Sequence, residues 1–248
     1  MTNNQSKMFF YDLFHKKSHL AHKVISKNNF TYFYILQIIN RLRIKKGKVL
    51  DIGCGDGTIS LFLASNGWSV VGFDVSKKAV DIANKNAKNL GLRTNCKFFL
   101  KDIEKITKID HKFDLIICSE VLEHLRNDDS LLVILSRTLS ENGLIIISVP
   151  STNAPLYKLG LAKNFDREVG HLRRYSVDSI KKIVEDARFK IIQIDRTESI
   201  LRNSLFLFKP LGFFIKFIRG FLVKVFHILD KFLVLVFGES QIFIVAKK

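Results

Sequence analysis

The sequence predicts an α/β protein with a seven-stranded, mostly parallel sheet and helices on both of its faces. Three observations carry that prediction. From residue 48 onward, short apolar runs alternate with amphipathic segments. The first run, within VLDIGCGDGTIS (49–60), ends in a turn with glycines at 53, 55 and 57. Three early strand ends carry an aspartate: Asp51, Asp74 and Asp102.

The elements follow in order. A helix over 31–43 leads into a strand at 48–53. Next come a helix at 57–66, a strand at 69–74, a helix at 77–90, and strands at 95–101 and 113–118. A helix at about 128–141, stopped by Asn142-Gly143, precedes a strand at 144–149 that Pro150 ends. A helix at 176–187, capped by Ser176 or Asp178, leads to a strand at 189–197. Residues 241–246 form the last strand. Strands joined through helices run parallel with right-handed crossovers.

The 53–57 turn is the first candidate site. Glycine admits positive φ and lets a ligand approach the main chain, and a helix start offers unpaired N–H groups. A dinucleotide site wants G-x-G-x-x-G; here the spacing is G-x-G-x-G, and Asp51 stands just before it. A carboxylate there disfavours a diphosphate and suits a ligand bearing an ammonium group. Asp74, ending the second strand, can accept both hydroxyls of a ribose. Asp102, ending the third, can accept from an exocyclic amine of adenine. Ser119 and Glu120 end the fourth.

These residues resemble the class I S-adenosylmethionine-dependent methyltransferases. DIGCGDG matches their first motif, GFDVS (72–76) their second, KDI (101–103) their adenine-contacting turn, and FDLIICSEVLEHL (113–125) their fourth-strand motif. The resemblance covers roughly 48–197 and the last strand. It implies a Rossmann-like sheet with an antiparallel last strand and S-adenosyl-L-methionine as cofactor. Asp51 and the turn with Gly53, Cys54, Gly55 and Gly57 would then face its methionine part, with Ser119 nearby. Asp74 would hold the ribose, and Val75 and Ile103 would enclose the adenine.

Composition bounds the rest. Cys54, Cys96 and Cys118 are scattered and odd in number, without CxxC, which argues against a disulfide framework or a zinc site. No apolar signal core is visible in the first twenty residues, so a cytoplasmic setting is expected. Of the net charge of +17, residues 1–48 carry +9, 49–150 carry −1, 151–197 carry +4 and 198–248 carry +5. The sheet is neutral and its attachments are basic, which points to an anionic surface as partner. The division expected is a basic helical arm or lid at 1–47, then a methyltransferase domain at 48–248 with an insertion at 198–239. In the arm, His15, His19 and His22 would share one helix face.

The insertion holds nine of the 22 phenylalanines. With Pro210 as a start and Gly238 as a stop, it reads as one helix. Its polar or small residues, Gly212, Lys216, Arg219, Gly220, Lys224, His227, Asp230 and Lys231, then fall within an arc of about 140°. Such a basic amphipathic helix fits a membrane interface, with 205–237 as the anchor on an anionic membrane surface. A hairpin packed into the core or a dimer interface is the alternative. No run is long enough to span a bilayer.

Acceptor chemistry has two candidate segments. In Glu120-Val121-Leu122-Glu123-His124, two carboxylates and an imidazole would share a helix face. The run is similar to the metal-binding segment of the ubiquinone-biosynthesis O-methyltransferases. Mg²⁺ on Glu120, Glu123 and His124 is therefore the minor alternative to a Glu120 that lines the cofactor pocket. The second segment ends Asp166 to Ser176. His171 could act as general base, and Glu120 is a second catalytic candidate. Arg173, Arg174 and Tyr175 could bind a phosphate or carboxylate of the substrate; alternatively Arg173 and Tyr175 lock the loop onto the sheet. The run GHLRRYS (170–176) looks like one in methyltransferases linked to lipids or surface glycans.

The function expected is O-methylation of a lipid, isoprenoid quinone or lipid-linked glycan by a peripherally membrane-associated enzyme. One alternative is a nucleic-acid methyltransferase using the basic arm, although no N/D-P-P-Y/F follows the fourth strand. Another is a non-catalytic membrane-binding module of the same fold.

Overall fold

The computed structural model describes residues 10–12, 21, 23–218 and 221–248, the side chains of Lys209 and Lys216 excepted. The expected histidine face at 15, 19 and 22, and Arg219 and Gly220, lie outside these residues.

Helix α1 (Phe33–Leu42) leads into β1 (Lys48–Ile52), α2 (Thr58–Ser65), β2 (Ser69–Asp74), α3 (Lys77–Asn89) and β3 (Cys96–Leu100). Then come β4 (Phe113–Ser119), α4 (Asp128–Thr138) and β5 (Leu139–Pro150). Two short helices, α5 (Pro155–Lys158) and α6 (Lys163–Val169), fill the stretch before α7 (Val177–Asp186). After β6 (Lys190–Thr197) come α8 (Ile200–Leu207), α9 (Lys209–Gly212), a 3-10 turn (Phe213–Phe217), α10 (Phe221–Phe237) and β7 (Gln241–Lys247).

The strand order is β3-β2-β1-β4-β5-β7-β6. Neighbours among β1 to β5 pair parallel, and β7 runs antiparallel between β5 and β6. Chain order reverses between β1 and β4, so a crevice opens at the carboxyl ends of those strands. Alternation fills both faces. Val49, Leu115 and Ile117 join Leu36, Leu63 and Ala83 on one side. Leu50, Ile52, Ile116 and Cys118 join Leu132, Leu135 and Ile180 on the other. All three cysteines are buried and free.

Gly57 starts α2 at φ +84°, and a Cβ there would stand 2.8 Å from Phe98 Cζ and 3.2 Å from Ala83 Cβ. Both the conformation and the space require glycine. Gly57→Ala is expected to lower unfolding free energy by about 1–3 kcal/mol, read from urea denaturation.

Three expected elements differ. Helix α4 ends at Thr138, not 141, because Leu139 already pairs with Phe113 on β4, and Asn142-Gly143 lies inside β5. The E-x-x-E-H segment is not one helix: Glu120 sits at φ +56° and only Leu122–His124 forms a 3-10 turn. The insertion is not one helix either. Its pieces fold around a cluster in which Leu205, Ile218 and Val223 bury against Phe30 and Phe33 of the N-terminal segment.

Candidate active site

A cavity of about 530 Å³ opens at the crevice between β1 and β4. Its walls include Asp51, Gly53, Cys54, Gly55, Asp74, Val75, Asp102, Ile103, Ser119 and Glu120. Each expected cofactor residue except Gly57 is there; Gly57 lies behind the wall as the start of α2.

The local chemistry explains each placement. Asp51 points to the α2 side of β1, where Ser60 Oγ donates to its Oδ2 at 2.6 Å. Burial, partly offset by that hydrogen bond, pushes Asp51 up to about 7. Asp74 accepts from the backbone N–H of Gly55 and of Ser76, both at 2.8 Å, and so holds the glycine turn against the start of α3. Asp102 caps the next 3-10 turn by accepting from the Glu104 N–H at 3.2 Å.

Asp51 is therefore protonated below neutral pH in the free protein, and a ligand bearing an ammonium group favours its ionised form. Binding of such a ligand strengthens as pH rises towards about 7 and levels off above it. S-adenosylmethionine titrated at pH 6 in buffers of different ionisation heat should release a proton that Asp51→Asn does not release.

At the other end of the cavity, His171 and His124 face each other with ring centroids 4.9 Å apart. His171 Nδ1 lies 3.0 Å from Asp166 Oδ1. Arg174 grips the same carboxylate twice, Nε to Oδ2 at 2.8 Å and Nη2 to Oδ1 at 2.6 Å. Burial alone would raise Asp166, but the hydrogen bonds from His171 and Arg174 outweigh it and hold the group below the usual carboxylate range. An ionised Asp166 accepts from Nδ1–H and leaves the Nε2 lone pair of His171 available for a proton. Tyr11 lines the cavity and packs edge-on to His124, and Asp12 beside it accepts from Ser76 Oγ and the Lys78 N–H.

The two glutamates have different surroundings. Glu120 accepts from Ser148 Oγ at 2.9 Å and from Gln241 Nε2, in a left-handed conformation that stores about 1–3 kcal/mol of strain. It is open to the cavity although burial pushes its carboxyl upward. Glu123 is fully buried, and neither oxygen has a hydrogen-bond partner. Burial first, then the nearby Glu120, raises it well above the usual range.

The expected metal set is not assembled. Glu120 turns to Ser148 and Gln241, and among the described residues the ligand atoms within 4.8 Å of one another belong to Glu123, His124 and His171. Two imidazoles and a single carboxyl do not supply the set of hard oxygen ligands that Mg²⁺ takes. The expected substrate contacts also differ. Arg173 donates to Asp128 Oδ1 at 3.0 Å and Tyr175 to Oδ2 at 2.5 Å, while Arg174 is held by Asp166. None of the three lines the cavity; they lock the loop to α4 and orient the Asp166–His171 pair. Sequence reasoning missed Tyr32, Phe165 and Val169 in the wall, which carry no motif.

The methyltransferase-domain family matches residues 44–203. The ubiquinone biosynthesis O-methyltransferase of Coxiella burnetii is 34% identical over 131 residues, covering 49% of this chain and 55% of that protein. The chain thus spans about half the length of the curated relatives it matches. The fold is shared with magnesium protoporphyrin IX methyltransferase from Synechocystis PCC 6803, solved with bound SAH: TM-score 0.61, 18% identity, 99% of this chain and 96% of that one. It is also shared with a SAM-dependent methyltransferase from Archaeoglobus fulgidus: TM-score 0.63, 19% identity, 96% and 99% covered. With the strand-end aspartates around one cavity and the family match over most of the sheet, the chain belongs to the class I S-adenosylmethionine-dependent methyltransferases.

Proposed function

We propose that this chain methylates a hydroxyl oxygen of an apolar acceptor, a lipid, isoprenoid quinone or lipid-linked glycan, at a membrane surface. The observation that carries this reading is the Asp166–His171 pair at one end of the cavity whose other walls carry Asp51, Asp74 and Asp102. The cofactor supplies a methyl group already activated on a sulfonium. The protein's part is position and proton transfer. Asp74 and the glycine turn bind at one end. At the other, His171 Nε2 takes the acceptor hydroxyl proton, with Asp166 and Arg174 fixing the ring. Buried Glu123 lies behind the ring, its Oε1 3.8 Å from the same Nε2. The relatives named for ubiquinone biosynthesis support oxygen as the methylated atom.

The test is incubation of the protein with methyl-labelled S-adenosylmethionine and either a membrane lipid extract or total RNA. Label in the organic phase, lost with His171→Gln, is the expected result. Label in RNA alone would favour the nucleic-acid alternative. Cofactor binding without transfer to either would leave a non-catalytic module.

A further inference from the structure

α10 is docked with Asp230 and His227 turned inward. Asp230 is 1% exposed, accepting from Tyr34 Oη at 2.6 Å and from the Ser199 N–H at 2.9 Å. The His227 ring packs on Phe33 and Tyr34, with centroids 4.8 and 5.0 Å away. The apolar side consequently faces out: Phe221 is 77% exposed, Ile228 67%, Phe232 65% and Leu235 82%. Phe213, Phe214 and Phe217 of the preceding 3-10 turn are exposed as well. A soluble helix shows the reverse arrangement, and exposed apolar surface of this extent marks an interaction site.

Charge identifies the occupant. The three acids of the segment are all engaged by the protein. Asp230 is buried, Glu198 pairs with Arg202 at 2.8 Å, and Glu239 accepts from Ser151 and Asn153 at 2.9 Å. Lys224 and Lys231, one heptad apart, are exposed beside the apolar face. The outward side of α10 therefore combines phenylalanine, leucine and isoleucine with lysine and no acid. A second copy packed isologously on this face would bring lysines from both copies, and no acid, to the shared interface. A bilayer with anionic headgroups suits both components, with ring and aliphatic groups at the acyl boundary and ammonium groups at the phosphates.

We infer that the outward face of Phe213–Phe217 and α10 lies on an anionic lipid bilayer, and that this holds the cavity mouth toward acceptors in the membrane. The topology supports the second part. β6 is parallel to β1–β5, so its end at Thr197 and the start of β7 at Gln241 both lie on the cavity edge of the sheet. Gln241 itself hydrogen-bonds Glu120 in the cavity wall. The first part stands alone; the second rests on the apolar-acceptor reading above. Among the described residues no helix is long and apolar enough to cross a membrane.

The experiment is flotation of the full chain with vesicles of phosphatidylcholine, with or without phosphatidylglycerol. The chain should float with the anionic vesicles, less so at high salt. Ile228→Asp with Leu235→Asp, both at exposed positions, should reduce the floated fraction at least about tenfold. Lys224→Glu with Lys231→Glu should remove the preference for phosphatidylglycerol. Calorimetric binding of S-adenosylmethionine serves as the fold control and should be unchanged in both. Equal flotation of the Ile228/Leu235 double variant, or no flotation of the parent chain, would overturn the inference. So would a concentration-dependent dimer that the same variant dissociates without any vesicle binding. Flotation without methyl transfer would instead defeat the catalytic reading and leave the bilayer contact standing.

Discussion

His171→Gln is expected to lower kcat for methyl transfer by about 10²–10⁴-fold with little change in the Kd for S-adenosylmethionine. His171 lines the cavity, and its Nδ1 is committed to Asp166, so only Nε2 can accept the acceptor proton. Glutamine keeps the size and one hydrogen bond but has no basic nitrogen. Stopped-turnover measurement of methyl transfer beside calorimetric titration separates the two quantities. Asp166→Asn should fall on the same side with a smaller loss in kcat. It leaves Arg174 without its carboxylate and removes the ionised group that selects the His171 tautomer. An unchanged kcat in His171→Gln would move the base elsewhere or dispense with one.

The second large effect concerns Asp74. Asp74→Ala should weaken S-adenosylmethionine binding by about 10–100-fold, because hydrogen bonds to a charged group contribute roughly 1.5–3 kcal/mol. The carboxylate acts in two directions: it lines the cavity, and it accepts from Gly55 and Ser76. Asp74→Asn retains one acceptor oxygen and should lose less. Calorimetry reads both; unchanged affinity in Asp74→Ala would place the ribose away from β2.

The half of the cavity proposed to hold the cofactor is legible in the sequence because it is local. Strands β1 to β4 are apolar runs with a polar residue at or just beside their carboxyl ends, Asp51, Asp74, Asp102 and Ser119, and their parallel pairing brings those ends to one edge. β2 occupies 69–74 as expected, and Asp74 sits at its tip. The half proposed to hold the acceptor depends on partners far apart in sequence. Tyr175 and Arg173 meet Asp128 some 45 residues away, and Glu120 meets Gln241 across 121. No spacing rule encodes such pairs. Glu120 leaves the helix expected of its segment because the chain turns through a left-handed residue there. In the insertion, periodicity shows which residues share a face but not which face turns inward. Asp230 decides that by finding Tyr34 and Ser199. An isolated buried carboxylate would be costly, and these donors remove the cost.

The central claim is that the cavity between β1 and β4 is the cofactor site and opens on His171. A crystal structure of the chain with S-adenosylhomocysteine tests it most directly. The ligand should fill the cavity, with its ribose at Asp74, its adenine between Val75 and Ile103, and its sulfur directed toward the His171 end. Density at another site, or an adenine placed at His124 and His171, would contradict it.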